Sequence, residues 1–343
     1  MTIDSMVRSL QGYRGAPLRI MEVCGTHTAT AAKAGLRSLL PENIRLVSGP
    51  GCPVCLAASA YIDQLCALAD GGSIIVSFGD LLRVRGKNGS LLDAKAGGAR
   101  VEMVYSPLEA INIARENPGS NVVMAAVGFE TTAPAYALLV ESAIEQGITN
   151  IRLLTALKRL IPALTALCDN GGVDAFIAPG HVAAVIGSNC FAPLALRFQK
   201  PFVVAGFTAE EMLGAMCLLV RNIGEAYTAN LYGSVVAEQG NTKALSAIEK
   251  YFEPSAAYWR GLSVIEDSGY YLKEAYAAFD AGSRGLFDAE EQMNGCRCGE
   301  VLTGKIHPCE CPLFGGVCSP ANAFGPCMVS AEGACGIAYT EGE

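Results

Sequence analysis

The stretch Ile44-Arg45-Leu46-Val47-Ser48-Gly49-Pro50-Gly51-Cys52-Pro53-Val54-Cys55 decides how the chain is read. Residues 44–47 read as a short buried strand, and 56–68 read as a helix. Between them a Gly/Pro turn holds two thiols spaced C-x-x-C. The second thiol is expected near the helix N-terminus, where unpaired N–H groups and the helix dipole favour thiolate. A C-x-x-C beside a strand–helix unit, with no apolar leader over residues 1–15, points to redox or metal chemistry rather than a static staple. The plainer alternative is a tight turn that carries two small apolar side chains.

A chain of 343 residues has room for two or three domains with substantial cores. Its 51% apolar and 17% charged side chains describe a globular protein rather than a disordered one. The net charge of −8, from 25 basic and 33 acidic side chains, argues against nucleic acid as a partner. No uncharged apolar run approaches the ~18 residues of a membrane span. The expectation is a soluble, cytoplasmic protein with no membrane partner. Fourteen cysteines are too many for such a protein unless some bind metal or do chemistry. Cys24, Cys52 and Cys55 fall in Gly-rich turns, seven more crowd between Cys296 and Cys335, and Cys66, Cys168, Cys190 and Cys217 read as buried spectators.

From residue 18 to about 207, apolar runs alternate with helical segments. Strands are expected at 18–23, 44–47, 73–77, 101–105, 122–127, 151–155, 173–177 and 202–205. The pattern implies parallel sheets covered on both faces. The polar break Glu116-Asn117-Pro118-Gly119-Ser120 suggests two units rather than one long sheet. The fold class is therefore α/β: two similar parallel-sheet α/β domains, 18–117 and 118–225, plus a mostly helical, Cys-rich iron–sulfur domain, 226–343. Residues 1–17 are expected to pack on the third. The unusual residues follow strand ends, where open α/β sheets build their sites.

Cys24-Gly25-Thr26-His27-Thr28 sets a soft ligand and an imidazole three residues apart at an expected turn, with Thr28 or Thr30 as a helix cap. Gly128-Phe129-Glu130-Thr131-Thr132 reads equally as a helix start or as a carboxylate presented to a partner or nucleotide, and no P-loop supports an ATP site. Pro179-Gly180-His181-Val182 is open in the same way. Cys296, Cys298, Cys309, Cys311, Cys318, Cys327 and Cys335, with His307 nearby, are the strongest metal signal. No pair of C-x₂-C knuckles marks a zinc ribbon, so the wide spacings fit a four-iron–four-sulfur cluster better, with structural zinc as the alternative.

Taken together, these motifs, with Cys296-Arg297-Cys298-Gly299, Cys311-Pro312-Leu313-Phe314-Gly315 and Glu332-Gly333-Ala334-Cys335, resemble the HypD family of nickel–iron hydrogenase maturation proteins over nearly the whole chain. The resemblance implies a scaffold that, with the small protein HypC, holds an iron carrying two cyanides and one carbon monoxide. HypE, with HypF upstream, supplies the cyanides, and the hydrogenase large subunit is served through HypC. Cys24 matches the family residue that binds this iron, His27 would sit beside it, and Cys52 and Cys55 match a redox-active pair. The family spacing C-x₁₄-C-x₆-C-x₁₆-C selects Cys296, Cys311, Cys318 and Cys335 as cluster ligands. It leaves Cys298 and Cys327 as a redox pair beside the cluster, with either one open as a ligand instead, and Cys309 as an extra. Glu130, Thr131 and His181 match supporting positions. The implied protein is a redox assembly factor, with weak ATP hydrolysis left open. The alternative is an iron–sulfur-dependent dithiol–disulfide reductase acting on a separate protein through Cys52 and Cys55.

Overall fold

The structure is a computed structural model that describes residues 2–287 and 295–342; Asn294, the expected start of the Cys-rich segment, lies outside them. Eleven strands form in chain order: β1 (Leu18–Glu22), β2 (Ile44–Ser48), β3 (Ile74–Ser77), β4 (Val101–Met103), β5 (Val122–Gly128), β6 (Ile151–Lys158), β7 (Ala175–Pro179), β8 (Phe202–Ala205), β9 (Thr228–Asn230), β10 (Phe252–Trp259) and β11 (Ser263–Leu272). All eight expected strands are present, with ends shifted by a few residues.

Two compact units share the chain. The first is Met1–Cys52, Ala163–Thr242 and Met293–Glu343; the second is Pro53–Pro162 and Lys243–Gln292. The first carries an all-parallel sheet in the order β2-β1-β7-β8-β9. The second carries β10-β11-β6-β5-β3-β4, parallel from β6 to β4, with the β10–β11 hairpin added antiparallel. The α/β class with two parallel-sheet units therefore holds.

The expected boundaries do not. Parallel neighbours need only a crossover between them, not adjacency in sequence. Thus β1 pairs with β7, Ile20 opposite Ala175, across the whole second sheet's first segment. The polar break at 116–120 is a surface loop between helix Glu109–Glu116 and β5, inside one unit. Nor do residues 226–343 form a separate helical domain. Strand β9 closes the first sheet, the hairpin joins the second, and the Cys-rich segment belongs to the first unit.

The N-terminal helix Ile3–Gln11 is capped by Thr2, whose hydroxyl accepts from the Ser5 N–H. Its apolar stripe, Met6 and Leu10, packs with Met212, Leu213 and Met216 of helix Ala209–Arg221 and with Ile20, Ile177 and Val203 of the sheet. Residues 1–17 thus pack on the first sheet's helical layer, not on a third domain. Each such side chain taken from water contributes roughly 1.5–3 kcal/mol. On the opposite face of β7 and β8, Phe176 and Phe202 stack at 4.7 Å.

In the first sheet the chain leaves β1 toward β2 on one side, while β7, β8 and β9 extend the other. The strand order reverses between β1 and β7, and the second sheet has the same kind of reversal between β3 and β5. Such points leave a crevice at the carboxyl ends of the strands. Among the described residues no single helix is long and apolar enough to cross a membrane.

Leu10→Ala should cost about 2–5 kcal/mol, the range for a buried leucine truncated in a core, and lower the urea midpoint accordingly. A helix merely resting on the surface would tolerate the change.

Candidate functional site

Strand β1, Leu18-Arg19-Ile20-Met21-Glu22, is polar only at Arg19 and at its last residue, Glu22, which is fully buried. The chain then turns at Cys24, which has extended backbone and is the N-cap of helix Gly25–Lys33. The Cys-Gly-Thr-His-Thr motif is therefore a helix start rather than a free turn, and neither Thr28 nor Thr30 caps it. Both hydroxyls have other work. Thr28 Oγ1 donates to Glu22 Oε1 at 2.6 Å, and Thr30 Oγ1 donates to the Phe207 carbonyl at 2.8 Å. The Cys24 N–H donates to Glu22 Oε2 at 3.2 Å. Burial pushes the Glu22 carboxyl up to about 7, against the opposing pull of Thr28, Arg37, Ser48 and the Cys24 amide. Burial likewise pushes the Cys24 thiol up to about 11, although the N–H groups of Thr26 and His27 favour its thiolate. Such a thiol gives up its proton when a metal takes the proton's place.

His27 is fully buried, and burial lowers its pKa to about 4, so the ring is neutral. Its Nε2 lies 2.8 Å from the Gly206 carbonyl oxygen. A carbonyl only accepts, so Nε2 carries the hydrogen and Nδ1 keeps a lone pair. Nδ1 is buried with no hydrogen-bond partner. An imidazole pinned through one nitrogen to a carbonyl, with the other held open, is the arrangement found at metal-ligating histidines. The ring also stacks on Phe207 at 4.8 Å; His181, exposed at one edge, stacks on Phe207 at 4.0 Å, and Tyr232 meets Phe207 edge-on. The loops after β1, β7 and β8 therefore meet at the sheet's reversal point. Glu22 and Phe207 went unnoticed in the sequence reading. A lone carboxylate directly after the apolar pair Ile20-Met21 was a signal for the first; nothing local marked the second.

The Gly-Pro-Gly turn is shaped by close approach. A Cβ on Gly51 would lie 2.5 Å from the Cys24 Cα, and one on Gly49 would lie 2.9 Å from the Glu22 carbonyl. Cys52 and Cys55 are both buried and joined as a disulfide. The following helix runs Ser59–Asp70 with Ala58 as its cap, so Cys55 precedes the helix and the dipole argument for its thiolate does not apply. In the second unit the buried Arg260, missed in the sequence reading, holds the loop after Cys55 through the Cys55 carbonyl at 3.1 Å and the Ala57 carbonyl at 2.7 Å.

Six thiols, Cys296, Cys298, Cys311, Cys318, Cys327 and Cys335, line one small apolar pocket with Phe314 and Met328. Hydrogen bonds with Cys298 and Cys335 hold the Cys327 thiol protonated, and Cys298 does the same for Cys296. Soft donors in a dry lining suit an iron–sulfur cluster and not a hard cation. Among the described residues no three His, Cys, Asp or Glu side chains stand in a metal-ligating arrangement, so it is the donor chemistry that fits. Cys309 is apart: it is exposed, and its sulfur lies 3.0 Å from His307 Nδ1. Helix Ala334–Glu341, which carries Cys335, packs against helix Gly25–Lys33, and a Cβ on Gly25 would lie 2.6 Å from Glu332 Cβ.

Glu130 and Thr131 belong to the second unit, after β5. Thr131 is exposed. Glu130 is buried, its Oε1 accepts from the Leu160 N–H at 2.9 Å, and its Oε2 has no hydrogen-bond partner. Burial pushes this carboxyl up to about 7. Lys158, at the end of the neighbouring β6 and likewise missed in the sequence, is buried; it donates to the Tyr258 carbonyl at 2.6 Å, and burial lowers its pKa to about 7.

The family model described as "HypD: Hydrogenase formation hypA family" matches residues 2–342. The hydrogenase maturation factor HypD of Escherichia coli K12 is 45% identical over 332 residues, which cover 94% of this chain and 89% of that protein. That of Rhodobacter capsulatus is 40% identical, covering 95% and 90%. A hydrogenase expression/formation protein, HupD, of Azotobacter chroococcum is 38% identical, covering 94% and 89%.

Folding raises the Glu130 pKa, so between about 4.5 and about 7 the folded chain holds a proton that the unfolded chain has lost, and stability falls as pH rises through that window. Glu22, raised by burial to the same range, adds a slope of the same sign, so Glu130→Gln should reduce the slope without abolishing it and raise the melting temperature by several degrees at pH 8 and little at pH 5. Thermal melts across pH 5–8 check this, with an unchanged slope as the contrary result.

Proposed function

The chain belongs to the HypD family of hydrogenase maturation factors, and from that premise we propose that it is the scaffold on which the iron of a nickel–iron hydrogenase receives two cyanides and one carbon monoxide. HypC forms the stable complex with it, HypE charged by HypF brings the cyanide, and the hydrogenase large subunit takes the finished unit through HypC, all in the cytoplasm. The observation that carries this reading is the packing of helix Ala334–Glu341, at the edge of the six-thiol pocket, against the helix that Cys24 begins.

The iron unit is cargo. Cys24 would hold it through its thiolate, shared with a thiolate of HypC, in surroundings dry enough to protect diatomic ligands. His27 is neutral and offers its Nδ1 lone pair to the same loop, as a ligand or as acceptor of the proton that Cys24 gives up. Glu22 keeps the Cys24 amide in place.

Cys296, Cys311, Cys318 and Cys335 would hold a four-iron–four-sulfur cluster, which when bound supplies stored electrons. Cys298 and Cys327 would remain as a thiol pair beside it. Opening the Cys52–Cys55 disulfide takes two electrons and two protons and frees two thiols. The burial of both cysteines weighs against the alternative, a reductase acting on the disulfide of a separate protein.

Infrared spectroscopy of the complex copurified with HypC tests the proposal. The wild-type complex should show cyanide and carbonyl stretches. Cys24→Ala should abolish them while the visible absorption of the cluster persists. Retained stretches in that variant would remove Cys24 from the role.

A further inference from the structure

β2 is an edge strand of the first sheet, and along it opens a cavity of about 370 Å³, distinct from the Cys24 loop and the thiol pocket. Its other wall is the segment 304–310. The volume lies at the small end of the range for small-molecule sites, roughly 300–1,000 Å³. Its lining has a definite sign. Arg19, Arg37, Arg45 and Lys305 face a single carboxylate, Glu310, one oxygen of which already accepts from the His307 N–H at 2.6 Å.

This excess of positive charge stands in a chain whose net charge is −8, so it is a local concentration and not a reflection of overall composition. The cations flank an apolar floor supplied by β2, and a low-dielectric wall focuses their field into the cavity. Guanidinium groups present paired N–H donors that match the oxygens of phosphate. Arg37 is fixed on the cavity wall by donating from Nη2 to the Ser48 hydroxyl and from Nε to the Leu46 carbonyl, each at 3.4 Å.

We propose that this cavity is a binding site for a small, multiply charged phosphate compound, held by Arg37, Arg45 and Lys305. The proposal is independent of the iron scaffold, since no thiol of the Cys24 loop or the six-thiol pocket lines the cavity. The shared chemistry is the phosphate group, whether free or carried by an organic molecule.

Calorimetric titration of the full chain with pyrophosphate, inorganic phosphate, adenosine diphosphate and citrate, at matched ionic strength, is the test. Saturable one-to-one binding of pyrophosphate or the diphosphate ester, weakened at least tenfold by Arg45→Ala combined with Lys305→Ala, supports the site. Tighter binding of pyrophosphate than of the ester assigns the free anion; the reverse assigns the organic one. Both substituted side chains are exposed, and a melting temperature equal to the wild type certifies the fold. Charge reversal by Arg45→Glu alone should weaken binding further than Arg45→Ala. Absence of saturable binding, equal affinity for citrate, or affinity unchanged in the variants overturns the proposal.

Discussion

A carboxyl group with no access to water must find partners for its oxygens inside the protein or remain costly to bury. Glu22 meets that condition by drawing on the Thr28 hydroxyl, the Cys24 amide and Ser48 of β2, with the Arg37 charge behind them. These groups come from the first strand, its sheet neighbour and the helix that follows. Satisfying one side chain therefore fixes the angle at which β1 hands over to its helix, and the position of Cys24 follows from that angle. Gly49 and Gly51 complete the constraint, because the second turn can lie on the first only where no Cβ intervenes.

The chemistry of the site follows from what this anchoring leaves out. Cys24 and His27 are buried, the imidazole is neutral, and burial favours the protonated thiol. The cavity along β2, lined by Arg19, Arg37, Arg45 and Lys305, has the opposite character, so a single sheet carries a buried cysteine–histidine end and a charged edge.

Much of this was legible in the residues alone. The apolar run 202–205 and the stretch 44–47, apolar but for Arg45, became β8 and β2 with little change. The chemical positions were legible because cysteine and histidine are rare and stood after strand ends. What escaped reading was long range. The His27 partner is a backbone carbonyl 179 residues away, and no pattern near either residue announces it. The pairing of β1 with β7 is equally non-local, and it undid the expected boundaries at 117 and 225. The β10–β11 hairpin lies inside the segment expected to be mostly helical, because half of β11 is solvent-exposed and its apolar signal is confined to its second half. The helix expected from 56 begins at Ser59, since Pro53 and the residues after it form a turn without a strong capping side chain.

The division of the chain has a consequence for how the molecule comes into being at the ribosome. β1 and β2 emerge early, yet β1 is an interior strand whose other neighbour, β7, is translated only after most of the second unit's first segment. Until then the two strands are a ribbon with a bare hydrogen-bonding edge, a form that is marginal in water and inviting to other strands. The six-cysteine segment, whose last helix packs against the helix that Cys24 begins, is made later still. The first sheet is thus complete only once translation has passed β9, and a nascent chain stalled midway would present an adhesive edge.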